Sequence, residues 1–151
     1  MKDILISDFS NPFFKSAFQS YFDELGVKVK DWDGLFNEMN EELDNYAYVR
    51  FTDTNNVVGF IQFKPIELSN WFFNVKMGFI REFWVSKEYR KTGNGADLLK
   101  LAEAYFIENG LYKSILTTDT AHKFYEANGY IKDANIVAKN KDDVYIKDLS
   151  L

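Results

Sequence analysis

The spacing of apolar residues predicts two helices in the first third of the chain. Asn11 is suited to cap a helix N-terminus, and Pro12 is suited to the first helical turn. The apolar residues that follow are three or four positions apart and form one helical face: Phe14, Phe18, Tyr21 and Leu25. Gly26 is placed to end this helix. Asp31 is placed to cap a second helix, whose apolar face comprises Leu35, Met39 and Leu43.

Runs rich in β-favouring residues predict four strands in the first two thirds of the chain: Asp3–Phe9, Tyr46–Thr52, Val57–Phe63 and Phe79–Val85. Polar residues 53–56 separate the second and third runs, which predicts a hairpin, and Pro65 is expected to end the third strand. Residues 66–77 are left open between a loop, a short helix and a strand. They include three consecutive aromatic residues, for which core packing is favoured over a place in the wall of a substrate pocket: Trp71, Phe72 and Phe73.

The last third alternates helical and strand patterns. A helix is predicted from Ala96 to Glu108, with an apolar stripe that comprises Leu98, Leu101, Ala102 and Tyr105. Tyr112–Thr117 is a predicted strand, and Thr120–Ala127 is a short helix ended by Asn128 and Gly129. A final hairpin is expected from two further runs: Tyr130–Ala138 and Val144–Leu149.

Composition narrows the class of protein. The 151 residues fit one domain, here expected to span 1–151, and the absence of cysteine excludes disulfides, thiolate metal sites and a covalent cysteine mechanism. The net charge of −5 argues against a nucleic-acid binder, and it is explained better by ordinary solubility than by a cationic ligand. Neither a secretory signal nor an apolar run long enough for a membrane helix is visible. We therefore expect a cytoplasmic protein without a metal site.

The segment Ser86–Gly95 carries the clearest chemical signal. It lies between a predicted strand and a predicted helix, and the first amides of a helix attract anions because they have no partner within the helix. Gly93 and Gly95 have no Cβ atom, so a phosphate can approach the backbone closely. Three basic residues lie in the same segment of an otherwise acidic chain: Lys87, Arg90 and Lys91. Together these features predict a phosphate-binding loop rather than a solvated turn.

The spacing of this loop matches neither a P-loop, which ends in Gly-Lys-Ser or Gly-Lys-Thr, nor the three-glycine dinucleotide motif. The pattern Arg90-x-x-Gly93-x-Gly95, after Val85 and before Leu98-Leu99, resembles the acyl-coenzyme A loop of the GCN5-related N-acetyltransferase superfamily. The segment Ala121–Tyr130 resembles the A-x-x-F-Y-E-x-x-G-F segment of that family. The close resemblance covers about Ile80 to Lys132, and the two motifs have the expected order and separation.

The resemblance implies a mixed α/β fold of the acyl-coenzyme A N-acyltransferase type. Its twisted, mostly antiparallel sheet would have about six or seven strands flanked by about four helices, and it would split beside Val85 to admit the cofactor. The implied activity is acetyl transfer from acetyl-coenzyme A to a primary amine in a ternary complex, since no cysteine is present to carry the acetyl group. A non-catalytic acyl-coenzyme A sensor and a protein-interaction domain are the alternatives. The acceptor amine and a homodimer are left open.

The resemblance also assigns residues to roles. The cofactor pyrophosphate would be held by the amides of one continuous segment: Arg90, Lys91, Thr92, Gly93, Asn94, Gly95 and Ala96. The backbone of Trp84 and Val85 would bind the pantetheine arm and polarise the thioester carbonyl. Thr118 stands where the family often has an asparagine that contacts the cofactor.

Tyr125 matches the tyrosine that protonates the departing thiolate in many members. Its neighbour Phe124 is expected to fill the core, which would leave Tyr125 facing a cleft. Glu82 is interpreted either as a general base or as the ion-pair partner of Arg81 or Lys87. His122, the only histidine in the sequence, is expected to be an exposed residue rather than a catalytic one.

Overall fold

The computed structural model describes residues 1–69 and 74–150. In these residues the chain forms seven strands and four α-helices, in the following order: β1 (Lys2–Ile6), α1 (Pro12–Leu25), α2 (Trp32–Glu41), β2 (Tyr46–Phe51), β3 (Val57–Ser69), β4 (Asn74–Val85), α3 (Asn94–Glu108), β5 (Lys113–Thr118), α4 (His122–Ala127), β6 (Ile131–Lys132) and β7 (Asp143–Asp148). The aromatic run Trp71, Phe72 and Phe73 lies outside the described residues.

The strands are hydrogen-bonded in the order β1-β2-β3-β4-β5-β7-β6. The β4–β5 pair is parallel, with Gly78 opposite Ser114 and Phe79 opposite Ile115. Strand β5 can run parallel to β4 because α3 returns the chain between them, as in other parallel crossovers. Antiparallel pairs join β1 to β2, β2 to β3, β5 to β7 and β6 to β7. The mixed, mostly antiparallel sheet and its four helices confirm the predicted fold class.

The chain divides into two compact units, each assembled from two separate segments. The first comprises residues 1–64 and 81–102, and the second comprises the described parts of 65–80 and 103–151. The prediction of a single domain over 1–151 stays a prediction. Among the residues described, no helix has both the length and the apolar character needed to cross a membrane.

The first unit has an aromatic core where α1 and α2 cover strands of the sheet. Phe14 of α1 packs against Phe60 of β3, with ring centroids 5.4 Å apart and the rings nearly perpendicular. Trp84 of β4 belongs to the same buried cluster. Because these rings fill the space between the helices and the strands, they fix the position of β4, from which the candidate site is built.

The predicted starts of α1 and α2 and the predicted end of α1 are confirmed. The side chain of Asn11 accepts hydrogen bonds from the amides of Phe13 and Phe14 at the start of α1, and Gly26 ends that helix with a φ of 72°. The side chain of Asp31 accepts a hydrogen bond from Gly34 at the start of α2. The placement of Leu43 on the apolar face of α2 is wrong, since the helix ends at Glu41 and Leu43 is 83% exposed.

The predicted hairpin of β2 and β3 is confirmed, but the expectation that Pro65 ends β3 is wrong, because β3 continues to Ser69. Pairing with β2 extends only as far as Phe63, opposite Tyr46. Pro65 therefore lies beyond the part of β3 that pairs with β2. Proline is tolerated in a strand where no neighbouring strand needs its amide.

The second unit contains β5, β6, β7 and α4, together with the end of α3. The predicted strand over Tyr130–Ala138 is too long, because β6 covers only Ile131 and Lys132, opposite Ile146 and Tyr145 of β7. Beyond β6, the side chain of Asp133 accepts a hydrogen bond from the Asn135 amide, which turns the backbone away from an extended path. The expected strand thus gives way to a polar loop.

Candidate functional site

The segment that joins β4 to α3 has the strand–loop–helix geometry expected of an anion site. After Val85 the chain forms a short 3₁₀ turn over Lys87–Tyr89, and α3 begins at Asn94, two residues before the predicted start. The first intrahelical bond runs from the Asp97 amide to the Gly93 carbonyl at 3.0 Å. The amides of Asn94, Gly95 and Ala96 precede that bond, so they have no acceptor within the helix. This is the positive end of the helix dipole.

Two residues of the loop have left-handed backbone conformations, Lys91 with a φ of 65° and Gly93 with a φ of 89°. A Cβ atom added at Gly93 would have none of the described atoms within 4 Å. On the side of the Gly93 backbone where any other residue would carry a Cβ atom, the space is therefore open. Gly95, in contrast, lies within the first helical turn and needs no positive φ.

The side chain of Asn94 ties the loop together from inside. It is 7% exposed. Its Nδ2 donates to the Tyr89 carbonyl at 3.0 Å and to Thr92 Oγ1 at 3.2 Å. Thr92 Oγ1 in turn donates to the same carbonyl at 3.1 Å. The side chains of two loop residues thus fix the path of the backbone between Tyr89 and the start of α3.

The side chain of Arg90 serves as an anchor of the loop rather than as a free positive charge. Its Nε donates to the Val85 carbonyl at 2.8 Å, and its Nη2 contacts both carboxylate oxygens of Glu24, at 2.7 and 2.6 Å. Glu24 lies in the last turn of α1 and neutralises this guanidinium. The positive charge that the sequence places in the segment is therefore exposed at Lys87 and Lys91.

The backbone at the end of β4 presents different groups on its two edges. The Ser86 amide donates to the Val58 carbonyl of β3 at 2.8 Å, and a Cβ at Gly59 would collide with the Trp84 carbonyl oxygen. Trp84 therefore directs its backbone groups towards β3. Because successive residues of a strand direct their backbone groups to opposite edges, the amide of Val85 points away from β3.

Glu82 is held by a tyrosine and not by the basic residues considered from the sequence. The Tyr21 hydroxyl of α1 donates to Glu82 Oε2 at 2.7 Å. Arg81 instead pairs with Glu42 at 2.6 Å. Among the described ion pairs, none joins Glu82 to Arg81 or to Lys87. The ion-pair interpretation of Glu82 is wrong, and its carboxylate is half-buried on the face of β4 that also carries Trp84.

Tyr125 of α4 is among the buried residues of the second unit, at 8% exposure. Its ring packs against Phe124 and Tyr130 at centroid distances of 5.2 and 5.7 Å. The expectation that Phe124 fills the core in its place is wrong, since Phe124 is the more exposed of the two. Burial raises the pKa of Tyr125 to about 12, because the charged phenolate loses hydration there. Tyr125 therefore keeps its proton at neutral pH.

Two further residues of this unit have structural contacts. Thr118 is buried, and its Oγ1 accepts a hydrogen bond from the Ala121 amide at 3.0 Å, which shapes the turn into α4. A hydroxyl that accepts this bond still has its own proton to donate. His122 is half-buried rather than exposed, and its Nε2 donates to the Asp119 carbonyl while Nδ1 lies 3.0 Å from the Tyr145 hydroxyl.

The structure places three side chains around the loop that sequence reasoning missed. These are Arg50, Glu24 and the side-chain amide of Asn94. The motif allows any residue at position 94. Arg50 and Asn94 are 44 residues apart, and Arg90 and Glu24 are 66 apart. A local motif contains no information about such distant partners. Within residues 1–69 and 74–150, no cluster of three acidic or histidine side chains suited to a metal ion is present.

Comparison with known proteins gives one family. Residues 2–130 match the model of the acetyltransferase (GNAT) family. No curated protein sequence matches the chain closely enough to be called a relative.

Solved structures share the fold at low sequence identity. A GNAT-family acetyltransferase from Staphylococcus aureus is 19% identical, with a TM-score of 0.71 over 99% of this chain and 100% of that one. An aminoglycoside 6'-N-acetyltransferase complexed with coenzyme A is 18% identical, with a TM-score of 0.73 over 100% and 98%. The PaiA N-acetyltransferase from Thermoplasma acidophilum, in complex with coenzyme A, is 17% identical, with a TM-score of 0.63 over 98% and 99%.

Proposed function

Because the chain belongs to the acetyltransferase (GNAT) family, we propose that it transfers the acetyl group of acetyl-coenzyme A to a primary amine. The main observation in support of this proposal is the arrangement of the backbone at the start of α3. There the amides of Asn94, Gly95 and Ala96 lie at the positive end of a helix, beside a glycine with a φ of 89° and open space. A diphosphate has the charge and the acceptor oxygens that such a backbone binds.

The residues present fit this cofactor. The amides of Lys91 to Ala96 would hold the pyrophosphate, with Lys87 and Lys91 adding exposed positive charge. The expected contact with the Arg90 amide is wrong, because that amide donates to the Lys87 carbonyl at 3.4 Å. The amide of Val85 points away from β3 and is proposed to donate to the pantetheine arm and to the thioester oxygen. Trp84 is proposed to hold this part of β4 in position for that contact, through its place in the strand. Thr118 is proposed as a further cofactor contact through its hydroxyl proton.

The acceptor amine must lose a proton before it can attack, since an alkylamine has a pKa of about 10.4 and is mostly charged at neutral pH. Glu82 is proposed as the base that receives this proton, directly or through water. Its carboxylate is oriented by Tyr21 at 2.7 Å. A positioned carboxylate of this kind contributes to catalysis by removing the proton that occupies the nitrogen lone pair, so that the neutral amine can attack.

In the transfer step the amine nitrogen forms a bond to the thioester carbonyl carbon, and the carbon–sulfur bond breaks. The departing sulfur needs a proton, which Tyr125 is proposed to supply. A pKa of about 12 keeps the phenol protonated at neutral pH, as a proton donor must be. The attacking nitrogen gives up its second proton as the carbon–sulfur bond breaks, and this proton restores the neutral phenol of Tyr125. The products are an acetylated amine, free coenzyme A and the proton first taken up by Glu82, without a covalent enzyme intermediate.

A panel of amines tests this function. Polyamines, amino acids, aminoglycosides and peptides with a free N-terminus or a lysine are incubated with acetyl-coenzyme A, and free thiol is measured. We expect thiol release with at least one amine that exceeds hydrolysis without an acceptor. Coenzyme A binding with no turnover on any amine would favour a non-catalytic acyl-coenzyme A sensor instead.

A further inference from the structure

The loop that is proposed to hold the cofactor depends on the orientation of one buried side-chain amide. Asn94 can donate to Tyr89 and Thr92 only when its Nδ2 faces the loop and its Oδ1 faces the opposite direction. The reverse orientation would place Oδ1 against the Tyr89 carbonyl oxygen, and two acceptors would then meet. A hydrogen-bond donor placed against Oδ1 therefore favours the orientation of Asn94 in which both loop contacts form.

Arg50 of β2 is that donor. Its Nη1 donates to Asn94 Oδ1 at 3.0 Å, and the same nitrogen donates to Asp97 Oδ2 at 2.9 Å. A guanidinium has no acceptor atom, so it fixes the carboxamide in the orientation that the loop requires. The Arg50 side chain is largely buried, at 11% exposure. Burial and a hydrogen bond from a charged donor both strengthen such a contact.

The other contacts of Arg50 hold the guanidinium in place. Its Nε and Nη2 form a two-bond pair with the Asp3 carboxylate of β1, at 2.7 and 3.0 Å. Its pairing with Asp97 also offsets a negative charge in the first turn of α3, where an anionic ligand would otherwise be repelled. Two strands of the sheet thus position one nitrogen against the start of the helix.

We propose that Arg50 is a positioning residue for the cofactor: through Asn94 it orders the loop Tyr89–Gly95 in the geometry that binds the diphosphate of acetyl-coenzyme A. The inference rests on the proposed function for its ligand, but the ordering of the loop is a property of the free protein. The sequence motif does not contain Arg50, and the motif leaves position 94 free. The contact is therefore a feature of this chain and not of the motif.

Two substitutions break the contact from its two sides. Arg50→Met keeps the length of the side chain and removes the donor, and Asn94→Leu keeps the volume and removes the amide. For each folded variant, hydrogen exchange of the amides in 90–96 is measured without ligand, and the Kd for coenzyme A is measured by calorimetry. We expect faster exchange in the loop and about tenfold weaker binding, because one hydrogen bond to a charged group is lost.

The kinetics give a readout that general destabilisation would not produce. The KM for acetyl-coenzyme A should rise about tenfold in both variants while kcat changes less than twofold. In an Asp97→Asn background, where the charge that Arg50 offsets is absent, the double variant should bind no more weakly than Asn94→Leu alone, because Arg50 then acts only through Asn94. Arg81→Met is the matched control, since it makes the same kind of change at an arginine that pairs with Glu42 and not with Asn94; its loop exchange and Kd should stay within twofold of the original protein.

Unchanged loop exchange and unchanged Kd in folded Arg50→Met would overturn the inference, and the same result in Asn94→Leu would overturn it if Arg50→Met does not fold. If the original protein does not bind coenzyme A, the proposed function fails. Faster loop exchange in Arg50→Met would in that case still support the positioning contact, so the two failures can be told apart.

Discussion

The Tyr21 hydroxyl donates a hydrogen bond to Glu82 Oε2 at 2.7 Å, which joins the last two turns of α1 to the strand that leads into the proposed cofactor loop. This bond holds Oε2 of the Glu82 carboxylate, the group that is proposed to receive the proton of an acceptor amine. The same helix reaches the loop through Glu24 and Arg90. Helix α1 therefore orients both the proposed base and the loop.

Replacement of Glu82 tests the proposed base. Glu82→Gln keeps the size of the side chain and the hydrogen bond to Tyr21 but removes the basic oxygen. We expect kcat to fall by about 10²-fold at neutral pH, in the range of general acid–base catalysis. The Kd for coenzyme A should not change. The matched control is Glu42→Gln, which makes the same chemical change at a carboxylate paired with Lys64 and Arg81; loss of activity in the control alone would contradict the assignment.

Replacement of Tyr125 separates catalysis from cofactor binding. Tyr125→Phe removes the proposed proton donor and keeps the ring that packs against Phe124 and Tyr130. We expect kcat to fall by about 10²-fold with an unchanged Kd for coenzyme A. A variant that retains full turnover would show that another group or water protonates the departing thiolate.

The burial of Tyr125 predicts a pH dependence of stability. Its pKa is raised from 10.0 to about 12 in the folded protein. Below pH 10 the phenol is neutral in both states, and its burial contributes fully to stability. Between about pH 10 and 12 only the unfolded chain ionises, so the free energy of unfolding falls as pH rises, by roughly 2–3 kcal/mol in total.

Denaturant titrations at pH 9 and pH 12 test this dependence. Tyr125→Phe should lose less stability between the two pH values than the original protein does, whereas Tyr112→Phe, at an exposed position, should match the original protein. Tyr130, whose pKa burial also raises, contributes a loss of the same sign in every variant. Equal losses in all three proteins would contradict the burial of the Tyr125 hydroxyl.

Alanine substitutions at two glycines with similar backbone conformations distinguish an effect on coenzyme A binding from an effect on stability. Gly93 has a φ of 89° and Gly110 a φ of 75°, and a Cβ at either position would have none of the described atoms within 4 Å. Alanine at each should therefore cost about 1–2 kcal/mol through backbone strain alone. This corresponds to a decrease in Tm of a few °C for a chain of this size.

Only Gly93→Ala should also weaken coenzyme A binding, because only Gly93 lies beside the amides that start α3. We expect at least a tenfold increase in Kd, against less than twofold for Gly110→Ala. Calorimetric titration of the two folded variants measures the difference. Similar Kd values in both would show that the space beside Gly93 is not used by the ligand.

Local signals in the sequence predicted much of the fold. Asn11, Gly26 and Asp31 mark helix ends because caps act through contacts within a few residues, and the structure confirms all three. The error at Pro65 has a physical origin, since the tolerance of a strand for proline depends on which neighbour pairs there. That information lies in β2 and not in the proline itself.

Prediction of the site was limited in the same way. The loop motif located the start of α3 to within two residues, because backbone amides and glycine conformations are encoded locally. It did not show that Arg90 is neutralised by Glu24 or that Asn94 is oriented by Arg50, since those partners come from α1 and β2. The burial of Tyr125 relative to Phe124 also depends on tertiary packing, which a stripe of aromatic residues does not determine.

The central claim, that main-chain donors at the start of α3 hold a diphosphate, is tested most directly by NMR titration of the ¹⁵N-labelled protein with coenzyme A. We predict that coenzyme A shifts four amide resonances most and that they saturate together: those of Gly93, Asn94, Gly95 and Ala96. The same resonances should shift less with pantetheine, which lacks the pyrophosphate. If these four amides do not shift while coenzyme A binds elsewhere or not at all, the claim is wrong.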